Sequence, residues 1–157
     1  MDLEEQIWQA LREIEDPELP VAITDLGLVR DVRVEEGRVL VRLIPTYSAC
    51  PAMRVIGDDI RRRLLALEGV REVSVEVTYD EPWTVARMTE EGRRRLTAHG
   101  LSVPRRGTWE EPVTCPFCGS TQTTLENLFG PTLCRAIYYC RACGNPIERF
   151  KPPLDSA

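Results

Sequence analysis

The stretch VRVEEGRVLVRL, residues 32–43, alternates apolar and polar side chains on both sides of a Glu36-Gly37 pair. Val32 and Val34 share one face before the pair, and Val39, Val41 and Leu43 share one after it, with Arg33 and Arg42 among the residues opposite. Side chains alternate across a strand with a period of two, so this spacing predicts a β-hairpin with one buried face. Downstream, Val73, Val75 and Val77 repeat the alternation and predict a third strand. Between them Met53, Ile56, Ile60, Leu64 and Leu67 are spaced 3, 4, 4 and 3 apart, the stripe of an amphipathic helix that Gly69 ends.

Upstream, Leu3, Ile7, Leu11 and Ile14 predict a helix over 3–14. Asp16-Pro17 stops it, because a residue before proline is pushed out of the α region. The segment ELPVAITDLGLV that follows is mixed and turn-like. After the third strand, a loop with Pro82 and Trp83 leads to Thr89, the N-cap of a last helix that stops near Gly100. The order α-β-β-α-β-α predicts a small α+β domain over residues 1–100, a three-stranded sheet with helices packed on one face. Residues 101–112, LSVPRRGTWEEP, lack periodicity and read as a linker.

Residues 113–151 differ from everything before them, with five cysteines in 39 positions. Cys115-Pro-Phe-Cys118 and Cys140-Arg-Ala-Cys143 are two CxxC pairs with 21 residues between, each followed by a glycine, Gly119 and Gly144. Each pair wraps two sulfurs around one ion, and four thiolates suit tetrahedral zinc. The expectation is a zinc-ribbon domain over 113–151, with residues 152–157 a short tail. Its apolar residues are too few to fold it unaided, so metal binding carries its stability. Four cysteines also suit an iron–sulfur cluster. Redox CxxC chemistry would need a βαβ context that neither pair has. Cys134, in GPTLCRA, is a fifth thiol beyond what one ion requires, either a small buried hydrophobe or part of a second function.

Cys50 stands apart, in PTYSACPAM. With Pro51 as first helical residue, Cys50 takes the cap position, where unpaired backbone N–H groups and the helix dipole favour thiolate over thiol. The structural alternative is a buried cysteine that happens to begin a helix, and the local residues support both. Carboxylates able to join it come from the turns Asp16-Pro17-Glu18 and Asp25-Leu26-Gly27, although capping and turn roles suit those residues too. His99, the only histidine, falls at a helix C-terminus, so no multi-histidine metal centre exists.

The 157-residue chain carries a net charge of −5, which argues against a large nucleic-acid footprint. The runs Arg61–Arg63 and Arg93–Arg95 read as solvated helix faces or local patches. No apolar run approaches the roughly 20 residues that span a bilayer, and the acidic amphipathic start is not a signal peptide. The expected setting is cytoplasmic, where thiols stay reduced and bind metal or react rather than pair.

DPELPVAITDLGLV (16–29) together with PTYSACPA (45–52) resembles the metal–sulfur cluster assembly domain family of iron–sulfur protein maturation. With the loop DEPWTVARMT (80–89), FGPTLCRA (129–136) and the ending IERFKP, the chain over about 5–151 resembles the PaaD-like proteins of phenylacetate degradation. The resemblance implies an accessory or maturation role beside 1,2-phenylacetyl-CoA epoxidase, not catalysis, with the oxygenase and reductase subunits as partners and homo-oligomers left open. It places Cys50, Asp16 and Asp25 at signature positions for a transient iron–sulfur cluster or iron, and raises the standing of Cys134. A non-catalytic docking subunit that uses the ribbon is the alternative, and a zinc-ribbon transcription regulator a third.

Overall fold

The alternation of residues 32–43 folds as a hairpin in the computed structural model, which describes residues 2–46, 52–105, 109–131 and 135–151. Strands β1 (Val29–Glu35) and β2 (Arg38–Leu43) pair antiparallel, Glu35 against Arg38 at the turn. Glu36 and Gly37 have φ of 49° and 79°, the left-handed pair that a two-residue hairpin turn needs. A register shift between Val29 and Asp31 sets Asp31 beside Arg42, whose guanidinium grips its carboxylate with two hydrogen bonds. Strand β3 (Glu72–Val77) adds to β2 in parallel, from Arg38↔Glu72 to Leu43↔Val77, so the sheet order is β1-β2-β3.

A parallel pair needs a crossover, and α2 (Ala52–Leu65) supplies it. Its apolar stripe buries Ile56, Ile60 and Leu64, and each such side chain contributes about 1.5–3 kcal/mol. Helix α1 (Leu3–Arg12) packs on α2 through a face that buries Ile7 and Leu11. Asp2 caps α1 by accepting from the Glu5 N–H at 2.8 Å. The helix ends two residues short of the expected bound, with Glu13 as its C-cap, yet Ile14 stays buried. Residues 15–22 close on themselves by an isolated Glu15↔Ala22 bridge.

The chain divides into units at 82/83, not near residue 100. The second unit holds a 3-10 turn at Val85–Arg87, α3 (Glu90–Ala98) and β4 (Leu101–Ser102), then β5 (Thr123–Asn127), β6 (Arg135–Cys140) and β7 (Pro146–Phe150). Thr89 caps α3 as expected, accepting from the Gly92 N–H at 3.0 Å. The helix expected over the first sheet therefore sits with the ribbon. Helix α3 packs on β4, which pairs with β7, and Arg93 on α3 ties in the flanking segments by donating to Val85 O at 2.7 Å and to Pro104 O at 3.0 Å.

The expected linker is likewise part of the second unit. Leu101 and Ser102 pair in parallel with Glu148 and Arg149 of β7, giving the order β4-β7-β6-β5. Its lack of periodicity hid a two-residue strand, too short for alternation to register. Among the described residues no helix is long and apolar enough to cross a membrane.

Candidate metal centre

The two CxxC loops fold alike. In the first, the Cys115 N–H donates to Ser120 O at 2.8 Å and the Gly119 N–H to Cys115 O at 2.9 Å. In the second, the Cys140 N–H donates to Asn145 O at 3.0 Å and the Gly144 N–H to Cys140 O at 2.9 Å. Closing each loop needs a left-handed residue after the second cysteine, and Gly119 and Gly144 supply it with φ of 79° and 80°. The residue after each glycine, Ser120 or Asn145, offers the closing carbonyl. The repeated pattern CPFCGS and CRACGN, with a glycine after each pair, carried this signal in the sequence.

The four sulfurs converge, all within 4.8 Å of one another. Cys115 Sγ lies 3.7 Å from Cys143 Sγ, and Cys118 Sγ lies 3.6 Å from Cys140 Sγ. A disulfide would bring sulfurs to about 2.05 Å. A tetrahedron with metal–sulfur bonds of about 2.3 Å has edges of about 3.8 Å, so the cage fits a metal ion. Cys115 and Cys140 are buried while Cys118 and Cys143 are exposed, so one side of the cage faces solvent.

Donors aimed at sulfur prepare the site for thiolates. The Phe117 N–H donates to Cys115 Sγ at 3.4 Å. A backbone hydrogen bond from Asn145 holds the Cys143 thiol down to about 7 against desolvation, with help from the Asn145 side-chain amide at 3.4 Å. At Cys118 the Ser120 backbone pulls the thiol down, but desolvation and the crowding of Cys140, Cys115 and Cys143 carry it up to about 12. Sulfurs this close hold protons between them, and a cation that displaces those protons relieves the crowding.

The candidates in the first unit occupy turns. Asp16 Oδ1 accepts from the Glu18 N–H at 2.8 Å, and the Asp16 N–H donates to Val21 O at 3.0 Å. Asp25 lies in a turn where the Gly27 N–H reaches Thr24 O at 3.1 Å, with Gly27 at φ 76°. Both carboxylates are partly exposed. Cys50 and Cys134 lie outside the described residues. His99 is the C-cap of α3 and is exposed.

Comparison with known proteins divides the chain in the same way. Residues 4–77 match the family described as iron-sulfur cluster assembly protein, and residues 102–151 match the PaaD zinc beta ribbon domain. An Escherichia coli protein, named as a subunit of "Putative 1,2-phenylacetyl-CoA epoxidase", is 41% identical over 93% of this chain and 91% of its own length. A Porphyromonas gingivalis protein named Fe-S protein maturation auxiliary factor is 36% identical over 61% of this chain and 92% of its own. The crystal structure of a domain of unknown function, DUF59, from Bacillus anthracis is 31% identical. It covers 60% of this chain and 91% of its own, with a TM-score of 0.56. Two domain families in this order, matched nearly end to end by one relative, place the chain in the same family as that Escherichia coli protein, an iron–sulfur cluster assembly domain joined to a PaaD zinc ribbon.

Proposed function

We propose that this protein is a non-catalytic maturation factor for 1,2-phenylacetyl-CoA epoxidase, which assists the iron–sulfur or metal-centre assembly of its oxygenase or reductase subunits in the cytoplasm. One observation carries the reading: an assembly-family domain and the ribbon lie in one chain, matched nearly end to end by the epoxidase-named relative. The relative named as a maturation factor, matched over 92% of its length, supports the assembly half.

The two units then divide the work by how their thiols are held. Cys115, Cys118, Cys140 and Cys143 hold a structural zinc, because a cage closed by four thiolates leaves no position for an incoming ligand. Zinc supplies no redox chemistry there and fixes the two loops. Cys50 is the transient ligand for iron or a cluster, since a single thiolate outside a closed cage binds a soft metal and releases it. Asp16 and Asp25 shape the turns at the other signature positions.

Replacing Cys50 by Ser tests this. The swap is nearly isosteric and should cost under about 1.5 kcal/mol. Tail metal content and fold should stay unchanged, while partner subunits purified from such cells should be short of iron and inactive. Fully metallated, active partners would overturn maturation through Cys50. A docking subunit is the second reading, favoured by the exposed Leu125, Leu128 and Phe129 at the end of β5, and it predicts that outcome.

A further inference from the structure

Among the described residues, strand β3 is the edge of the first sheet and pairs only with β2. The Glu72 N–H reaches Gly37 O at 3.3 Å and the Thr78 N–H reaches Leu43 O at 2.8 Å. Even-numbered residues therefore turn their backbone groups toward β2, and Val73, Val75 and Val77 turn theirs outward. The side chains of these valines share the face that is core in β2, yet they are incompletely covered. Val77 is 38% exposed, whereas its register partner Leu43 is 0% exposed. A groove of about 480 Å³ lies between β3 and α2, lined by Met53, Gly57, Val75 and Val77, with Arg54 and the Asp58–Arg61 ion pair also lining it. An edge with three outward valines, no proline and no lysine invites another strand.

We propose that the strand is β3 of a second copy of this chain, antiparallel about a two-fold axis at Val75, so that two sheets become one of six strands. The charge pattern selects both partner and register. With Val75 opposite Val75, Val73 faces Val77 on the apolar side, and these outward residues form the pairs that exchange both N–H···O bonds. On the other side Glu76 faces Ser74 and Glu72 faces Thr78. Moving the axis to Ser74 sets Glu72 against Glu76 twice, and moving it to Glu76 sets that residue against itself. Like charges directly opposite are destabilising, so the acids guard the edge against neighbouring registers and permit this one. A closed two-fold contact pairs the two β3 edges with each other, so this contact does not itself propagate into a filament.

Sedimentation equilibrium of the full-length, metal-loaded chain over a wide concentration range tests the assembly. The expected result is a reversible species of twice the 17.8 kDa chain mass. Ser74 is exposed, so substitutions there leave the core alone, which circular dichroism checks. Ser74→Glu sets a carboxylate against Glu76 at two symmetric places and should raise the dissociation constant about tenfold. Ser74→Arg sets a cation there and should lower it. A monomer at every concentration overturns the proposal. So does a dimer that fails to weaken with Glu and tighten with Arg.

Discussion

Strands β2 and β6 are both inner strands, and they are buried by different means. In β2, Val39, Val41 and Leu43 are 2%, 0% and 0% exposed, and α2 adds three fully buried aliphatic side chains nearby. Around β6 the apolar cluster comprises Val113, Cys115, Ala136, Tyr138, Cys140 and Ile147. Two of these six are sulfurs of the metal cage, so the ribbon core and the metal site are one structure. The first unit is held by buried apolar area. In the second, the apolar cluster shares two residues with a four-thiolate site able to hold a metal ion, so a chelator or an oxidant is expected to loosen it.

The sharpest way to break that contrast is to remove the metal. Chelation should abolish protection of amide hydrogens in 113–151 and leave 29–77 protected, since structural zinc contributes on the order of 10–16 kcal/mol to such folds. Cys140→Ser, which removes a buried ligand, should do the same. A ribbon that keeps its protection with no metal by elemental analysis would erase the distinction.

Ile60→Ala makes the converse change. Ile60 is 0% exposed in α2, so its truncation should lower the stability of the first unit by about 2–5 kcal/mol in a urea titration. The metal content of the same sample should not move. Loss of metal on this substitution would mean that the two units do not fold separately.

Gly37→Ala probes one turn rather than a core. Gly37 sits at φ 79°, and an added Cβ would lie 2.8 Å from Gly69 O and from Arg71 Cγ. A left-handed alanine against a backbone oxygen should cost about 1–3 kcal/mol, read as a lower urea midpoint for the first unit alone. An unchanged midpoint would show that the turn relaxes freely.

The smallest effect is electrostatic. The hydrogen bond from Arg42 to Asp31, reinforced by the charges of Arg42, Arg30 and Arg33, holds the Asp31 carboxyl below its usual range in spite of desolvation. A carboxyl with a depressed folded pKa stabilises the fold above its unfolded value of about 3.9, and that contribution fades as pH falls through the folded value. Asp31→Asn should therefore lower the urea midpoint at neutral pH and flatten its fall in acid below about pH 4. Parallel acid profiles for the two proteins would show that the pair contributes nothing to the first unit.

Much of this was legible in the residues. Period-two runs at 32–43 and 73–77 needed no partner to be read as strands, because alternation is a local consequence of backbone geometry. The stripe from Met53 to Leu64 identified α2 for the same reason. Two CxxC-Gly loops announced a four-sulfur cage, since closing such a loop demands glycine at a fixed offset. Those signals are local, and local physics writes them into the chain.

The tertiary structure alone decided the rest. It moved α3 to the ribbon through β4, which packs on α3 and pairs with β7, while Arg93 reaches carbonyls on two separate segments, Val85 and Pro104, and no spacing in the sequence records such contacts. It turned the aperiodic Leu101-Ser102 into a strand, because β7 offered an edge there. It also showed that β2 and β3, both alternating valine strands, differ in burial. The difference comes from position in the sheet: β2 has a neighbour on each side, and β3 ends the sheet with one edge open. Alternation tells which face of a strand is apolar, and only the assembled sheet determines how much of that face is covered.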